Sequence, residues 1–394
     1  MTCLRDKFFA IRNWIIICAV GFFAIPSLGT YWVNNGVGYE KGNRRRFIAV
    51  LKMECLSILF SLFIYNQLLD YYNKKEFNNL DKYVKDRQMA STTLIIFLIA
   101  SQMAHFLYFA PDTIQEFGSI FLDLSQDFFL LNTFVHVLNA VSRTKHIVTK
   151  ISEISFISPL IFDRRCQVQE ITIPIKKFSG DGGTVRLALV SDLHVGPGVH
   201  REQVARVVDT LLKLDVNAVA FVGDMVDGPA ESLADRLMPI WPLRYRFTCF
   251  FVTGNHEYYY GDAKKWLIFY EDHGIHVLDN RAKMFHNICI VGVNDISSEY
   301  SGIKNHEMNL SEAMRYCTSD TTRVLLAHNP ASVRSFPKKD LDRIDVVLSG
   351  HTHAGQYYVI VPVVFWILPY YHGLYDLGHG KLLYRLELYT RVLR

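Results

Sequence analysis

VRLALVSDLHVG, residues 185–196, joins a run of apolar residues to a short polar segment that ends in glycine. Residues 185–190 are largely aliphatic and β-branched, as in a strand that is buried on both faces. In such sheets polar side chains collect where the chain leaves the sheet, and α/β proteins place their ligands there. The stretch therefore predicts an α/β domain with a candidate site at one sheet edge.

The same pattern recurs four times further along the chain. Residues 218–222 lead into GDMVDG, 247–253 into GNHE, 323–326 into AHNP, and 345–349 into GHTHAG. Short β-branched runs that alternate with amphipathic stretches are typical of α/β architecture. We expect the loops after these runs to bring the following residues to one edge: Asp192, His194, Asp224, Asn255, His256, His328, His351 and His353.

Carboxylates and imidazoles together favour a site for divalent first-row metals such as Mn, Fe, Ni or Zn, and the set contains no cysteine. Two such ions about 4 Å apart can share a carboxylate and hold a bridging hydroxide, which attacks a phosphate ester at neutral pH. The set is large enough for two ions. Gly223, Gly254 and Gly350 stand beside these residues and permit the sharp turns that bring ligands together.

These blocks resemble the calcineurin-like metallophosphoesterase superfamily. Its pattern is Asp-x-His, Gly-Asp, Gly-Asn-His-[Asp/Glu], a lone His and Gly-His-x-His, and all five blocks occur here in that order within residues 185–356. The resemblance implies a two-sheet β-sandwich flanked by helices, the metallo-dependent phosphatase-like fold, over residues 185–394. Several apolar spans before such a domain resemble the transmembrane branch of the superfamily.

The resemblance also implies a role for each residue. Asp192, His194 and His353 would bind the first metal. Asn255, His328 and His351 would complete the second, and Asp224 would bridge the two ions. His256 would face the substrate and protonate the leaving group or stabilise the transition state. Asp227 and Glu257 would orient the ligands.

Residues 1–150 have the character of an all-α multipass transmembrane region, followed by a linker and first-strand region at 151–184. A helix needs about 20 mainly apolar residues to cross a bilayer, and four stretches qualify: 14–33, 47–69, 90–110 and 118–141. A signal peptide is the alternative for the first stretch, which is longer than the usual apolar region of such peptides. The fourth contains Asp123, Asp127 and His136, so a helix at the interface or packed on the soluble domain is its alternative.

If all four stretches cross, the distribution of Lys and Arg favours a cytosolic C-terminal domain. The basic residues of the N-terminus, of 74–87 and of 143–150 then lie on one side, and those of 41–46 lie on the other. The loss of one span would move the domain to the opposite side. The prediction is thus an integral membrane protein with its catalytic domain in the cytosol.

The composition narrows the possible partners. Half of the residues are hydrophobic and 20% are charged, which is unusual for a soluble protein. A formal charge of +4 without a basic helix argues against nucleic acid.

The cysteines show no CxxC or zinc-finger spacing, so we expect reduced, buried thiols at Cys166, Cys249, Cys289 and Cys317. The acceptor pattern Asn309-Leu310-Ser311 is short and carries little weight alone.

The predicted function is metal-dependent hydrolysis of a phosphomonoester or phosphodiester by a membrane-anchored enzyme. The apolar, aromatic run 357–371 directly follows the GHTHAG block and suggests a phospholipid as one substrate class, with core packing as the alternative. Two other functions stay open. One is a membrane scaffold whose phosphoesterase domain binds metal or a partner without turnover, against which the complete ligand set argues. The other is a transporter formed by the N-terminal spans.

Overall fold

The computed structural model describes most of the C-terminal half of the chain. The described residues are 168–175, 184–196, 199–318, 321–352, 370, 373–378, 381–385 and 391–393, together with 29, 32, 33, 35, 44, 47, 48 and 51. The chain divides into two compact units, Met1–Asp163 and Arg164–Arg394. Within the described residues no helix combines the length and apolarity that crossing a bilayer demands. The four predicted spans lie almost entirely outside these residues and stay predictions.

The first sheet contains six strands. They are β1 (Gln169–Ile171), β2 (Leu187–Val190), β3 (Ala218–Val222), β4 (Thr248–Val252), β5 (His276–Val277) and β12 (Arg391–Leu393). Their order is β1-β12-β2-β3-β4-β5, and β2 to β5 are parallel. The C-terminal strand β12 inserts beside β2 in the antiparallel direction. The predicted runs at 185–190, 218–222 and 247–253 are thus confirmed as strands, and the structure adds that they are neighbours in one sheet.

Helices connect the parallel strands of this sheet. These are α1 (Arg201–Leu212), α2 (Ala230–Leu237), a 3₁₀ helix (Met238–Tyr245), α3 (His256–Tyr259) and α4 (Ala263–Asp272). Parallel neighbours require such crossovers, since a tight turn cannot return the chain to the same end of the sheet. The loops that follow β2, β3 and β4 consequently leave the sheet at the same edge.

The second sheet also contains six strands. They are β6 (Arg281–Phe285), β7 (Ile288–Gly292), β8 (Thr322–Leu326), β9 (Val346–Ser349), β10 (Gly373–Gly378) and β11 (Lys381–Arg385), in the order β10-β11-β9-β8-β7-β6. The inner strands β7, β8, β9 and β11 are parallel. Short helices accompany the sheet: α5 (Leu310–Ala313), α6 (Lys338–Leu341) and 3₁₀ helices at Ile296–Tyr300, Met314–Tyr316 and Pro330–Arg334.

Apolar residues of both sheets form a shared core. Alternate residues of a strand face opposite sides, so Leu187 and Leu189 of β2 pack with Ile290 and Leu348 of the second sheet. The remaining faces are covered by helices, for example by Trp266 of α4 on the first sheet. The predicted α/β fold, with sheets flanked by helices, is therefore the fold observed.

The prediction of reduced thiols was wrong for one pair of cysteines. Cys289 of β7 and Cys317 form a disulfide, with their Cα atoms 5.7 Å apart. They are 28 residues apart in sequence, and only the fold brings the end of the Met314–Tyr316 helix to β7. Cys249 is a buried free thiol, as predicted, and burial raises its pKa to about 12. Cys166 lies outside the described residues.

Replacing Cys289 and Cys317 together by alanine is expected to lower the free energy of unfolding by about 3 to 4 kcal/mol. A cross-link that closes a loop of this length restricts the unfolded chain by roughly that amount. Denaturant unfolding of the purified full-length chain measures the change. Reduced wild type should fall to the level of the variant, and equal midpoints for all samples would contradict a stabilising bridge.

Candidate metal centre

The loops after β2 and β3 run side by side beyond the sheet. The main-chain N–H of Asp192 donates to the carbonyl of Gly223 at 3.1 Å, and that of His194 donates to Asp224 at 3.0 Å. The main-chain N–H of Asp227 donates to the carbonyl of Val195 at 2.8 Å. These bonds hold the Asp-x-His block against the Gly-Asp block.

Four candidate ligands have a left-handed backbone. The φ angles are 56° at Asp192, 49° at His194, 52° at Asp224 and 81° at His351. Non-glycine residues in sparsely populated regions cost about 1 to 3 kcal/mol each, and they cluster at functional sites. We therefore infer that the fold accepts backbone strain at this edge of the sheets, because the strained conformations direct these side chains toward a common centre.

Gly223 allows the close approach of three loops. It has a φ of +77°, and a Cβ there would lie 2.6 Å from the Cα of Gly254 and 2.6 Å from the Nδ1 of His328. Any side chain would displace the loop that carries Asn255 or the ring of His328. The glycine of the Gly-Asp block is thus required by packing as well as by backbone geometry.

The carboxylate of Asp224 lies at the centre of the candidate site. Its Oδ2 is 3.1 Å from the Nε2 of His328 and 3.9 Å from the Nε2 of both His194 and His256. Its Oδ1 accepts a hydrogen bond from the main-chain N–H of His256 at 2.8 Å. Burial alone would raise the pKa of Asp224, but the neighbouring histidines hold it well below its usual range. Asp224 is therefore an anion surrounded by imidazoles.

Asp192, His328 and His351 connect the two sheets at this edge. The Nδ1 of His328 lies 2.7 Å from the carbonyl of Val222, so its Nε2 is left to face Asp224. The main-chain N–H of His351 donates to both carboxylate oxygens of Asp192, at 2.9 and 3.0 Å. Gly350 donates its N–H to the carbonyl of His328 at 2.9 Å. The loops after β8 and β9 thus meet those after β2 and β3.

Asp227 fixes the orientation of two histidines. Its Oδ1 lies 2.9 Å from the Nδ1 of His194 and 2.5 Å from the Nδ1 of His256. Burial would lower the pKa of His194, but the carboxylates of Asp227, Asp224 and Asp192 raise it to about 9. With Nδ1 held by Asp227, each ring turns its Nε2 toward Asp224. A carboxylate in this position is the usual partner of a metal-binding histidine.

Glu257 joins two of the loops through their main chains. Its buried carboxylate accepts N–H donors from Asp224 at 3.0 Å, Met225 at 2.8 Å and Gly254 at 2.6 Å. Burial and the charge of Asp224 raise the pKa of Glu257 to about 7. Glu257 therefore holds the loop of the Gly-Asp block against the loop that carries Asn255 and His256.

The hydrogen bonds of the Asn255 side chain indicate whether cations would fit at this site. Its Nδ2 donates to the hydroxyl of Tyr259 at 2.8 Å, and its buried Oδ1 has no hydrogen-bond partner among the described residues. An unpaired buried carbonyl costs about 1 to 3 kcal/mol, which a metal ligand bond would offset. Three overlapping groups of side chains could each hold an ion, because the ligand atoms within each group lie within 4.8 Å of one another. The groups are His194, Asp227 and His256; Asp224, His328 and His351; and Asp192, His194 and Asp224. The residues fit divalent cations.

His353 lies outside the described residues, so its predicted place beside Asp192 and His194 stays a prediction. The other nine predicted site residues converge on the one edge. The run 357–371 lies outside the described residues except for Tyr370.

Sequence reasoning left two residues near this edge without a role. Tyr259 is 52% exposed, and its ring lies 4.8 Å from that of His256. Asp295, three residues beyond β7, is buried, and its Oδ2 has no hydrogen-bond partner in the described part of the chain. Burial raises its pKa, although His328 lowers it. The signal for Asp295 in the sequence is an acidic residue three positions after an apolar strand, which matches none of the five blocks.

Three relatives each match slightly more than half of this chain. It is 35% identical over 53% of its length to a metallophosphoesterase of Caenorhabditis elegans, of which 44% is covered. It is 32% identical over 55% of its length to the zebrafish (Danio rerio) transmembrane protein with metallophosphoesterase domain, of which 51% is covered. The bovine (Bos taurus) protein of the same name is 31% identical over 55% of the chain, with 51% of the relative covered. The chain thus spans about half the length of these relatives.

The family model of the calcineurin-like phosphoesterases matches residues 185–355. This range contains the described metal-centre residues and His353. It also contains β2 to β9, whose connecting loops form the site. The match to the calcineurin-like phosphoesterases therefore covers the part of the chain that forms the candidate metal centre.

Proposed function

We propose that this domain hydrolyses a phosphomonoester or phosphodiester in a reaction that depends on two divalent cations. The observation that carries the proposal is the position of the Asp224 Oδ2, which lies within 3.9 Å of the Nε2 atoms of His194, His256 and His328. A carboxylate oxygen shared in this way suits a ligand that bridges two ions. The match to the calcineurin-like family supports the same function, as does the Oδ1 of Asn255, which has no hydrogen-bond partner in the described ranges of the chain.

The proposed ligands divide between two positions on either side of Asp224. Asp192 and His194 belong to the first position, together with His353. Asn255, His328 and His351 belong to the second. Asp192 and His328 approach each other to 4.0 Å across the centre, which keeps the two positions close. Mn, Fe, Zn and Ni all accept such mixed oxygen and nitrogen ligands.

Cations bound there would lower the pKa of a water and neutralise the phosphate oxygens. The protein side chains supply orientation and protons. His256 is 27% exposed at its side chain, and Asp227 holds its Nδ1. Burial lowers its pKa, but Asp227 and Asp224 raise it overall, which favours the protonated ring. We propose that His256 donates this proton from Nε2 to the leaving-group oxygen.

We further propose that the enzyme is held at a membrane by the apolar stretches of residues 1–150 and that lipid phosphates are among its substrates. The support is the length of these stretches, the names of the zebrafish and bovine relatives, and the apolar run 357–371 beside the GHTHAG block. A panel of phosphate esters that includes phospholipids and nucleotides tests the substrate class. Faster turnover of a soluble nucleotide than of any lipid in mixed micelles would contradict the lipid assignment.

Removal of metal is expected to abolish hydrolysis of a generic aryl phosphate by the purified full-length chain. Dialysis against a strong chelator should reduce turnover to background, and Mn or Zn should restore it, because the cations supply the nucleophile and the charge compensation. The metal content of the reloaded protein should approach two ions per chain. Undiminished turnover after complete metal removal would contradict the proposal, and loading without turnover would favour the scaffold alternative.

A further inference from the structure

The disulfide carries information about the compartment of the domain. Cys289 is fully buried in β7, and its bridge to Cys317 belongs to the core on the outer face of the second sheet. Disulfides of this kind form and persist in oxidising compartments, such as the endoplasmic reticulum lumen and the cell surface, and are rare in the cytosol. The bridge therefore argues against the cytosolic placement predicted from the basic residues.

An independent feature lies within the segment that the disulfide closes. Asn309-Leu310-Ser311 is the sole Asn-x-Ser/Thr pattern of the sequence. Leu310 is buried, whereas Asn309 and Ser311 are exposed at the start of α5. The Oδ1 of Asn309 accepts the N–H of Glu312 at 2.9 Å, so the amide oxygen caps the helix. The Nδ2 atom, which a glycan would modify, takes no part in this bond and belongs to an exposed residue.

We propose that Asn309 carries an N-linked glycan and that the phosphoesterase domain faces an oxidising, glycosylating compartment. The donor would be an oligosaccharide attached to a polyisoprenyl diphosphate. The Nδ2 forms a bond to the anomeric carbon and loses a proton, while the bond between that carbon and the diphosphate oxygen breaks. The lipid diphosphate leaves, and no oxidant or reductant is needed.

This placement agrees with one of the two interpretations of residues 118–141. If that stretch, with Asp123 and Asp127, lies at the interface instead of crossing, three spans remain. The basic N-terminus and residues 74–87 then stay in the cytosol, and the domain lies on the opposite side. The free-energy cost of placing two carboxylates in lipid also favours this interpretation, independently of the disulfide.

The test uses the full-length, epitope-tagged chain expressed in cultured animal cells, with and without peptide N-glycosidase digestion. Wild type and the acceptor-preserving variant Ser311→Thr should migrate faster after digestion. Asn309→Gln and Ser311→Ala should already migrate at the faster position without digestion. Absence of any shift for wild type would overturn glycosylation of Asn309.

Two further measurements decide the compartment separately. Glu307→Ser creates a second acceptor at the exposed Asn305 and should add a second shift. Alkylation of the denatured cell lysate before and after reduction, read by peptide mass spectrometry, should label Cys289 and Cys317 only after reduction. Labelling of both cysteines without reduction, together with no shift for Glu307→Ser, would overturn the placement. These readouts do not involve hydrolysis, so they hold whether or not the proposed activity is found.

Discussion

Asp224→Asn is expected to reduce hydrolysis by at least about 1,000-fold while the domain stays folded. The substitution removes the anion that the three imidazoles surround, and with it the bridge between the two proposed cations. Asparagine tolerates the left-handed backbone at φ 52°. It can also keep the Oδ1 contact with the N–H of His256. The loss should therefore come from chemistry and metal binding, and the unfolding midpoint should change little.

Turnover of an aryl phosphate and metal content per chain measure this effect. The matched control is Asp235→Asn, which removes a carboxylate from the exposed face of α2 and should leave both quantities unchanged. If Asp224→Asn retained most of its activity with two bound ions, the bridging role would be wrong.

His256→Gln is expected to lower kcat by about 100- to 10,000-fold, the range that general acid catalysis supplies. The effect should depend on the substrate. An aryl phosphate with an acidic leaving group needs little protonation and should lose the least activity. An alkyl phosphate should lose the most, because its alkoxide is a poor leaving group without a proton.

Metal content separates the two roles that the geometry of His256 permits. His194, Asp227 and His256 together form one of the groups that could hold an ion. A general acid can be removed without loss of metal, so His256→Gln should keep two ions per chain. Loss of one ion, with equal effects on aryl and alkyl substrates, would identify His256 as a ligand instead.

The sequence alone predicts the strands of the domain, because each strand depends on a local pattern of residues. Each of the runs that end in a candidate ligand is a strand, because aliphatic and β-branched residues bounded by Gly and polar residues have few other buried conformations. The convergence of their loops followed from parallel pairing alone. The contact of Asp227 with two histidines required coordinates, although its orienting role had been expected from the family resemblance.

Non-local features could not be predicted in the same way. The insertion of β12 between β1 and β2 joins residues near 391 to residues near 187, and no local pattern specifies that pairing. The partners Cys289 and Cys317 are separated by the end of β7 and three short helices, so their spacing resembles none of the known short motifs. Asp295 was missed because a single acidic residue after a strand is common in sequences without any site.

The left-handed backbone at Asp192, His194, Asp224 and His351 limits which sequences this domain can adopt over evolutionary time. A lineage that no longer needs catalysis is free of the chemical requirement at these positions but not of the conformational one. Glycine or asparagine would relieve the strain, whereas valine or isoleucine would add to it. Descendants that have lost activity should therefore show Gly or Asn at these four positions, and such a replacement pattern would mark a pseudoenzyme by its genome sequence alone.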